Sequence, residues 1–96
     1  MAEYTIKSIN AQVTGNNVVI EIKGSFGSSK YVMDRVDVNH HNNGIELYVI
    51  AHFDENGPLI DVTEPFTRII TVTDLQPGTY YARVDNNNEW VKWFAI

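Results

Sequence analysis

The chain contains no cysteine, and this absence excludes several kinds of site. Disulfide bonds, thiolate nucleophiles and cysteine-ligated zinc centres all need a residue that the chain lacks. Apolar runs are also short, and none approaches the roughly 20 consecutive residues of a membrane-spanning helix. We therefore expect a domain that is stabilised by its hydrophobic core alone and does not insert into a membrane.

Basic residues are scarce as well, with 7 Lys and Arg against 12 Asp and Glu, for a formal net charge of −5. Such a surface disfavours the phosphates of nucleic acids and anionic lipids, so we expect neither as a partner. The first ten residues lack the basic and apolar segments of a secretory signal. The localisation stays open between the cytoplasm and an extracellular protein whose leader has been removed.

Helical periodicity is nearly absent, and alternation with a period of two takes its place. Ten asparagines, most of them in clusters with glycine, proline or aspartate, mark turns between the alternating segments. We predict one domain, residues 1–96, with an all-β fold: a seven-stranded antiparallel sandwich, an irregular barrel being the alternative. A phase shift near residues 7–8 predicts a β-bulge. The predicted strands are residues 4–13, 18–23, 31–39, 45–53, 66–73, 79–85 and 90–96.

The alternation also predicts which side chains face the core. In the third segment the inward phase holds Val32, Val36 and Val38. In the fourth segment every second residue from Ile45 to Phe53 is predicted to face inward. The residues between them are predicted to face solvent, namely Glu46, Tyr48, Ile50 and His52.

A turn and a tyrosine stand together in the stretch LQPGTYYARV. Pro77 presets φ for the turn, Gly78 supplies a positive φ, and Leu75 closes the end of the core. Tyr80 then enters the next strand in the inward phase, with its hydroxyl able to reach back to the backbone of the turn. Tyr81 is the alternative corner residue, but the phase of the strand favours Tyr80.

This stretch resembles the corner before the penultimate strand of fibronectin type III and other immunoglobulin-like sandwiches, which carry a similar Leu-x-Pro-Gly-Thr-x-Tyr run. The longer stretch EPFTRIITVTDLQPGTYYARV, about a fifth of the chain, also resembles a small domain of uncharacterised bacterial envelope proteins. The resemblance implies an immunoglobulin-like fold and says little about activity. The core tryptophan and the disulfide of antibody-type domains are missing, so only the looser class is implied.

Metal ligation and catalysis find little support in the residue pattern. His40 and His41 alternate faces in a strand, and His52 lies at the far end of the hairpin partner strand, about 20 Å from the turn, so we expect no shared metal site. The acidic loop that begins at Asp54 and contains Asp61 lacks the ligand pattern of an EF-hand. No nucleophile motif is present. We expect no enzyme activity, no catalytic residue and no cofactor.

Aromatic residues are the candidate ligand-binding residues. Tyr48 and Tyr81 are predicted to face outward, and Trp90 and Trp93 fall in opposite phases of the last strand, so one of them should leave the core. That last strand is apolar, with Lys92 as its only charge, and as an exposed edge it could pair with another copy of the chain.

Three functions are compatible with these patterns. The favoured one is a non-catalytic interaction module that binds a protein partner through a sheet face or an edge strand, a homodimer included. The first alternative is a carbohydrate-binding module that uses the exposed aromatic residues. The second is a small protease inhibitor that presents the loops at residues 24–30 and 54–65.

Overall fold

Alternating β-branched and polar residues form seven strands and no helix in the computed structural model, which describes residues 4–28, 30–56 and 64–96. Residues of the acidic loop from 57 to 63, Asp61 among them, lie outside the described residues. The described part contains no helix that could span a membrane. The strands are β1 (Tyr4–Thr14), β2 (Asn17–Phe26), β3 (Tyr31–His41), β4 (Gly44–Phe53), β5 (Glu64–Val72), β6 (Thr79–Val84) and β7 (Val91–Ala95).

The strands form two sheets, a three-stranded one with the order β1-β2-β5 and a four-stranded one with the order β3-β4-β6-β7. This confirms the all-β, two-layer prediction. The prediction of wholly antiparallel sheets is wrong, because β4 and β6 pair in parallel between Gly44–Leu47 and Tyr81–Val84. The chain leaves β4, crosses to β5 in the other sheet and crosses back to β6, and these two reversals restore its original direction.

Two irregularities set the phase of the strands. The register of β1 shifts between Ile6 and Ser8, which confirms the predicted bulge. A second shift, between Met33 and Arg35, was not predicted. It turns Met33 toward the core, so that Val32 is exposed and its predicted inward position is wrong.

Val36 is half-buried against the core, as its phase predicts, whereas Val38 is exposed. Val38 lies opposite the buried Leu47, but it belongs to β3, an edge strand of the four-stranded sheet, which has a neighbouring strand on one side only. Its predicted burial is therefore wrong.

In β4 the prediction holds for the first half of the strand only. Ile45, Leu47 and Val49 are buried, but Phe53 is 49% exposed and packs edge-on against the ring of Tyr31. Phe53 lies beyond the short segment that pairs with β6, and the Nζ atom of Lys30 lies over its ring, 5.9 Å from the centroid. Glu46, predicted to face solvent, is 2% exposed.

The corner between β5 and β6 closes one end of the core. Leu75 and Tyr80 are buried, and the Tyr80 hydroxyl donates a 2.7 Å hydrogen bond to the carbonyl of Gln76. Gly78 has a φ of 152°, a value that favours glycine. Its N–H and carbonyl both bond to Ile96, which ties the last residue of the chain to the corner.

A second tyrosine ties the first strand to the other sheet. The Tyr4 hydroxyl donates to one carboxylate oxygen of Asp85, whose other oxygen accepts the N–H of Val49 at 3.1 Å. Burial, followed by the interaction with Asp85, raises the pKa of the Tyr4 phenol above its ordinary value. Asp85 thus connects β1 with β4 at the end of β6.

Candidate functional site

The outer surface of the four-stranded sheet brings together three of the four aromatic residues that the sequence singled out. Strand register places Tyr81 of β6 directly between Gly44 of β4 and Trp93 of β7. Tyr48 lies on the same side of β4, two alternations farther along. We call the surface formed by Tyr48, Tyr81, Arg83 and Trp93 the aromatic face.

Trp93 is the most prominent member of the aromatic face. Its side chain is 63% exposed, and its ring centroid lies 5.2 Å from that of Tyr81 at an interplanar angle of 55°. Gly44 on the other side of Tyr81 allows this packing, since a Cβ there would lie 2.6 Å from the Tyr81 hydroxyl oxygen. A large apolar side chain is therefore held in a defined place and left open to solvent.

A partly buried ion pair lies beside the rings, with the Glu46 side chain 3% exposed and that of Arg83 23% exposed. Arg83 donates from Nη2 to Oε1 of Glu46 at 2.6 Å and from Nε to Oε2 at 3.1 Å, a two-point contact of the kind guanidinium and carboxylate groups favour. The Tyr81 hydroxyl also donates to Oε1, at 3.4 Å. The hydrogen bond to Glu46 raises the pKa of Arg83 above its ordinary value, so the group stays cationic.

Arg83 connects the ion pair to the rest of the surface. Its Nη1 donates to the side-chain oxygen of Asn88 at 2.8 Å, and its guanidinium carbon lies 5.6 Å from the centroid of the Tyr81 ring. Every nitrogen of the guanidinium thus has a partner, and the group lies over an aromatic ring. Asn88 and Val91 complete the open groove beside Trp93.

Trp90 does not belong to this surface. It is half-buried and packs against the core, and its backbone closes the turn before β7: its N–H donates to Asn87, and its carbonyl accepts the N–H of Val84. The opposite phases of the two tryptophans therefore separate a core residue from a surface residue. Of the four candidate ligand-binding residues, the structure groups Tyr48, Tyr81 and Trp93.

Glu46 and Arg83 were missed by the sequence analysis. Each falls in the outward phase of its strand, where an isolated charged residue is ordinarily solvated. Only the parallel pairing of β4 with β6 brings Glu46 opposite Arg83. A local pattern in the sequence carries no signal for that pairing.

The histidine and acidic side chains considered as metal ligands do not lie together at one site. His52 bonds to Asp34 at 2.8 Å, His40 packs near the ring of Tyr80, and the described residues contain no group of three side chains that could hold a metal ion. Asp54 accepts the N–H of Asn56 at 3.0 Å, which is a turn contact.

No protein-family model matches this chain, and no curated protein or solved structure matches it significantly.

Proposed function

We propose that this domain is a non-catalytic interaction module that binds a protein partner through the aromatic face. The observation that carries the proposal is Trp93, a large ring that is 63% exposed although it is held against Tyr81. Trp, Tyr and Arg are the residue types that dominate binding energy at protein interfaces, and Trp93, Tyr81 and Arg83 are clustered here.

The ion pair supports the proposal because it holds the side chains of the aromatic face in fixed positions. A side chain that is ordered before binding loses less conformational entropy when a partner arrives. Arg83 is held by Glu46 on one side and by Asn88 on the other, and Tyr81 donates to the same carboxylate. The aromatic face is therefore ordered before binding, and the ion pair leaves it nearly neutral. Such a face suits a partner protein that presents an apolar surface.

The finer fold class, an immunoglobulin-like sandwich, is part of the same proposal. The division of the strands supports it: the first, second and fifth lie in one sheet, and the third, sixth and seventh lie in the other. The buried Tyr80 at the start of the sixth strand supports it as well. The parallel pairing of β4 with β6 is a departure, and backbone NMR contacts between Ile45 and Ala82 would test it.

A carbohydrate ligand is the second candidate, because Tyr81 and Trp93 are adjacent and a polar Asn88 lies beside them. The angle of 55° between the two rings argues against a flat stacking platform for a sugar chain. A protease inhibitor has less support, since Gly24 and Phe26 of its first candidate loop are buried residues of β2.

Selection from a displayed peptide library tests the proposal. We expect enriched sequences to bind the wild-type domain, to lose at least tenfold in affinity with Trp93→Ala, and to be unaffected by Ile69→Ala. Ile69 is a matched control because it is similarly exposed, at 64%, on the other sheet. Peptides that bind both variants equally well would contradict the proposal.

The same variants separate the carbohydrate alternative from the protein partner. Titration of an oligosaccharide panel should leave the tryptophan fluorescence of the wild-type domain unchanged if the ligand is a protein. A saturable change that disappears with Trp93→Ala would assign the face to a sugar instead.

A further inference from the structure

The two sheets end in four edge strands, and three of these are protected against pairing with another chain. β1 and β3 each contain a register shift, and β7 has only 5 residues and packs against β1. Bulges and short length are the devices by which natural edge strands avoid association. β5 has neither, because its 9 residues pair with β2 in one unbroken register.

Proline and charged residues, the other protective devices, are confined to the first half of β5, where Pro65 stands and where Arg68 donates from Nη1 to the carbonyl of Thr67 at 3.1 Å. Between Phe66 and Val72 the only charged residue is Arg68. On the outward side the strand presents Thr67, Ile69 and Thr71, and Ile69 is 64% exposed. β-branched residues dominate this stretch, so it is well suited to pairing.

We infer that β5 is the pairing edge for a second copy of this chain, in an antiparallel dimer with two-fold symmetry. The two three-stranded sheets then join into one continuous sheet across the paired β5 strands. The contact is isologous, meaning that the same strand contributes to both sides. It lies on the sheet opposite the aromatic face and is independent of the proposed partner site.

The register of the dimer follows from symmetry. Along a strand, successive residues direct their N–H and C=O groups to alternate edges. Two residues that lie opposite each other in an antiparallel pair must both direct these groups toward the partner strand, or both away from it. In a symmetric dimer this requires that the two-fold axis pass through a residue that faces its own copy, and not between two residues. With Ile69 on the axis, Ile69 faces Ile69 and Thr67 faces Thr71, both favourable cross-strand pairs. With the axis one residue earlier, Arg68 would face Arg68, and Pro65, which has no N–H, would fall within the paired segment. Of these two positions, Ile69 gives the favourable cross-strand pairs, and we place the axis there.

The contact is small. Each copy contributes residues 66–72, fewer than the roughly 20–30 residues a side of a standard interface. We therefore expect an equilibrium between monomer and dimer that shifts with protein concentration.

Cysteine crosslinking tests both the dimer and its register, because the chain has no cysteine of its own. In Ile69→Cys the two thiols face each other across the axis, with Cβ atoms about 4.5–5.5 Å apart, so mild oxidation should give a covalent dimer. Thr67→Cys is the matched control on the same strand and face. Its copies are offset by about 13 Å along the strand and should not crosslink. Equal crosslinking of the two variants would overturn the register.

Sedimentation equilibrium at millimolar protein concentration tests the edge itself. We expect the wild-type dimer to be lost with Ile69→Lys and retained with Trp93→Lys. A wild-type protein that stays monomeric at this concentration, or a dimer lost only with Trp93→Lys, would overturn the inference. Because the second outcome would place the contact at Trp93, and so on the proposed binding face, failure of the β5 edge is distinguishable from failure of that face.

Discussion

Tyr80 and Tyr81 are adjacent in the chain, but they lie on opposite sides of β6 and belong to two different regions. The Tyr80 ring is buried in the corner, and its hydroxyl bonds to the carbonyl of Gln76 four residues earlier. The Tyr81 ring lies on the aromatic face, and its hydroxyl is directed at Glu46 on another strand. The corner is built from local contacts, whereas the aromatic face is assembled from residues far apart in sequence.

The local contacts of the corner indicate that it serves the fold, whereas the aromatic face is the surface that we propose binds a partner. Substitutions in the corner should therefore lower stability, and substitutions of exposed residues on the face should leave it nearly unchanged. The ion pair on this face is the intermediate case, because Glu46 is buried and Arg83 is half-buried although both lie on the outer side of the sheet.

Leu75→Ala should have the largest effect. Leu75 is buried at the end of the core, and its N–H donates to the carbonyl of Asn16, so the loop has little freedom to collapse into the cavity. We expect the free energy of unfolding to fall by about 2–5 kcal/mol, measured by urea denaturation. An effect no greater than that of Ile69→Ala, an exposed control, would contradict a structural role for the corner.

Gly44→Ala should come next. The new methyl group would lie 2.6 Å from the Tyr81 hydroxyl oxygen and would displace the ring from Glu46. Overpacking of this kind costs about 1–3 kcal/mol. The control is the same substitution in a Tyr81→Ala background, where the cost should largely disappear. An unchanged cost would mean that Tyr81 does not pack against Gly44.

Tyr80→Phe and Tyr81→Phe compare the two regions directly. Removing the Tyr80 hydroxyl leaves the Gln76 carbonyl without its 2.7 Å bond, and we expect a loss of about 1 kcal/mol. The Tyr81 hydroxyl is 3.4 Å from Glu46, whose carboxylate keeps its contacts with Arg83, so its loss should cost less. Thermal or urea unfolding measures both losses. If the two variants lose the same free energy of unfolding, the distinction between a structural corner and a surface face is contradicted.

Tyr4 extends the comparison to alkaline pH. Its folded-state pKa is raised, so the unfolded chain releases the proton first as pH rises above about 10. The contribution of Tyr4 is thus fully present below that pH and declines as pH rises through the folded-state pKa. Urea denaturation across this range should show a steeper decline for the wild-type protein than for Tyr4→Phe. Parallel curves would contradict the raised pKa.

Trp93→Ala should have the smallest effect on folding. Because Trp93 is exposed, we expect a change in unfolding free energy within about 0.5 kcal/mol, while ligand binding is lost. Trp90→Ala is the matched comparison, and it should cost distinctly more because Trp90 packs against the core. If both tryptophans contribute equally to stability, Trp93 is a structural residue and the proposed binding face loses its main support.

The elements that could be predicted are those that depend on neighbouring residues. Alternation located the seven strands, the phase shift in β1 located its bulge, and the turn chemistry around Pro77 and Gly78 located the corner. Each of these signals depends on backbone preferences or on which side chains share one side of a strand.

The features that could not be predicted depend on which strands become neighbours. The burial of Glu46 requires β6 beside β4, and the exposure of Val38 requires β3 at an edge. Neither follows from the alternation in its own strand, because that pattern assigns a side of the sheet and does not say what covers it.

The amino-acid sequence by itself determined the all-β class, the places where the chain turns, and the tyrosine that enters the core, since these follow from local conformational preference and period-two patterning. Only the tertiary structure decided that β4 and β6 run in parallel, that Glu46 and Arg83 form an ion pair, and that Tyr81 and Trp93 share one surface. The physical reason is that strand order depends on the total free energy of packing two sheets together, to which residues distant in the chain contribute jointly.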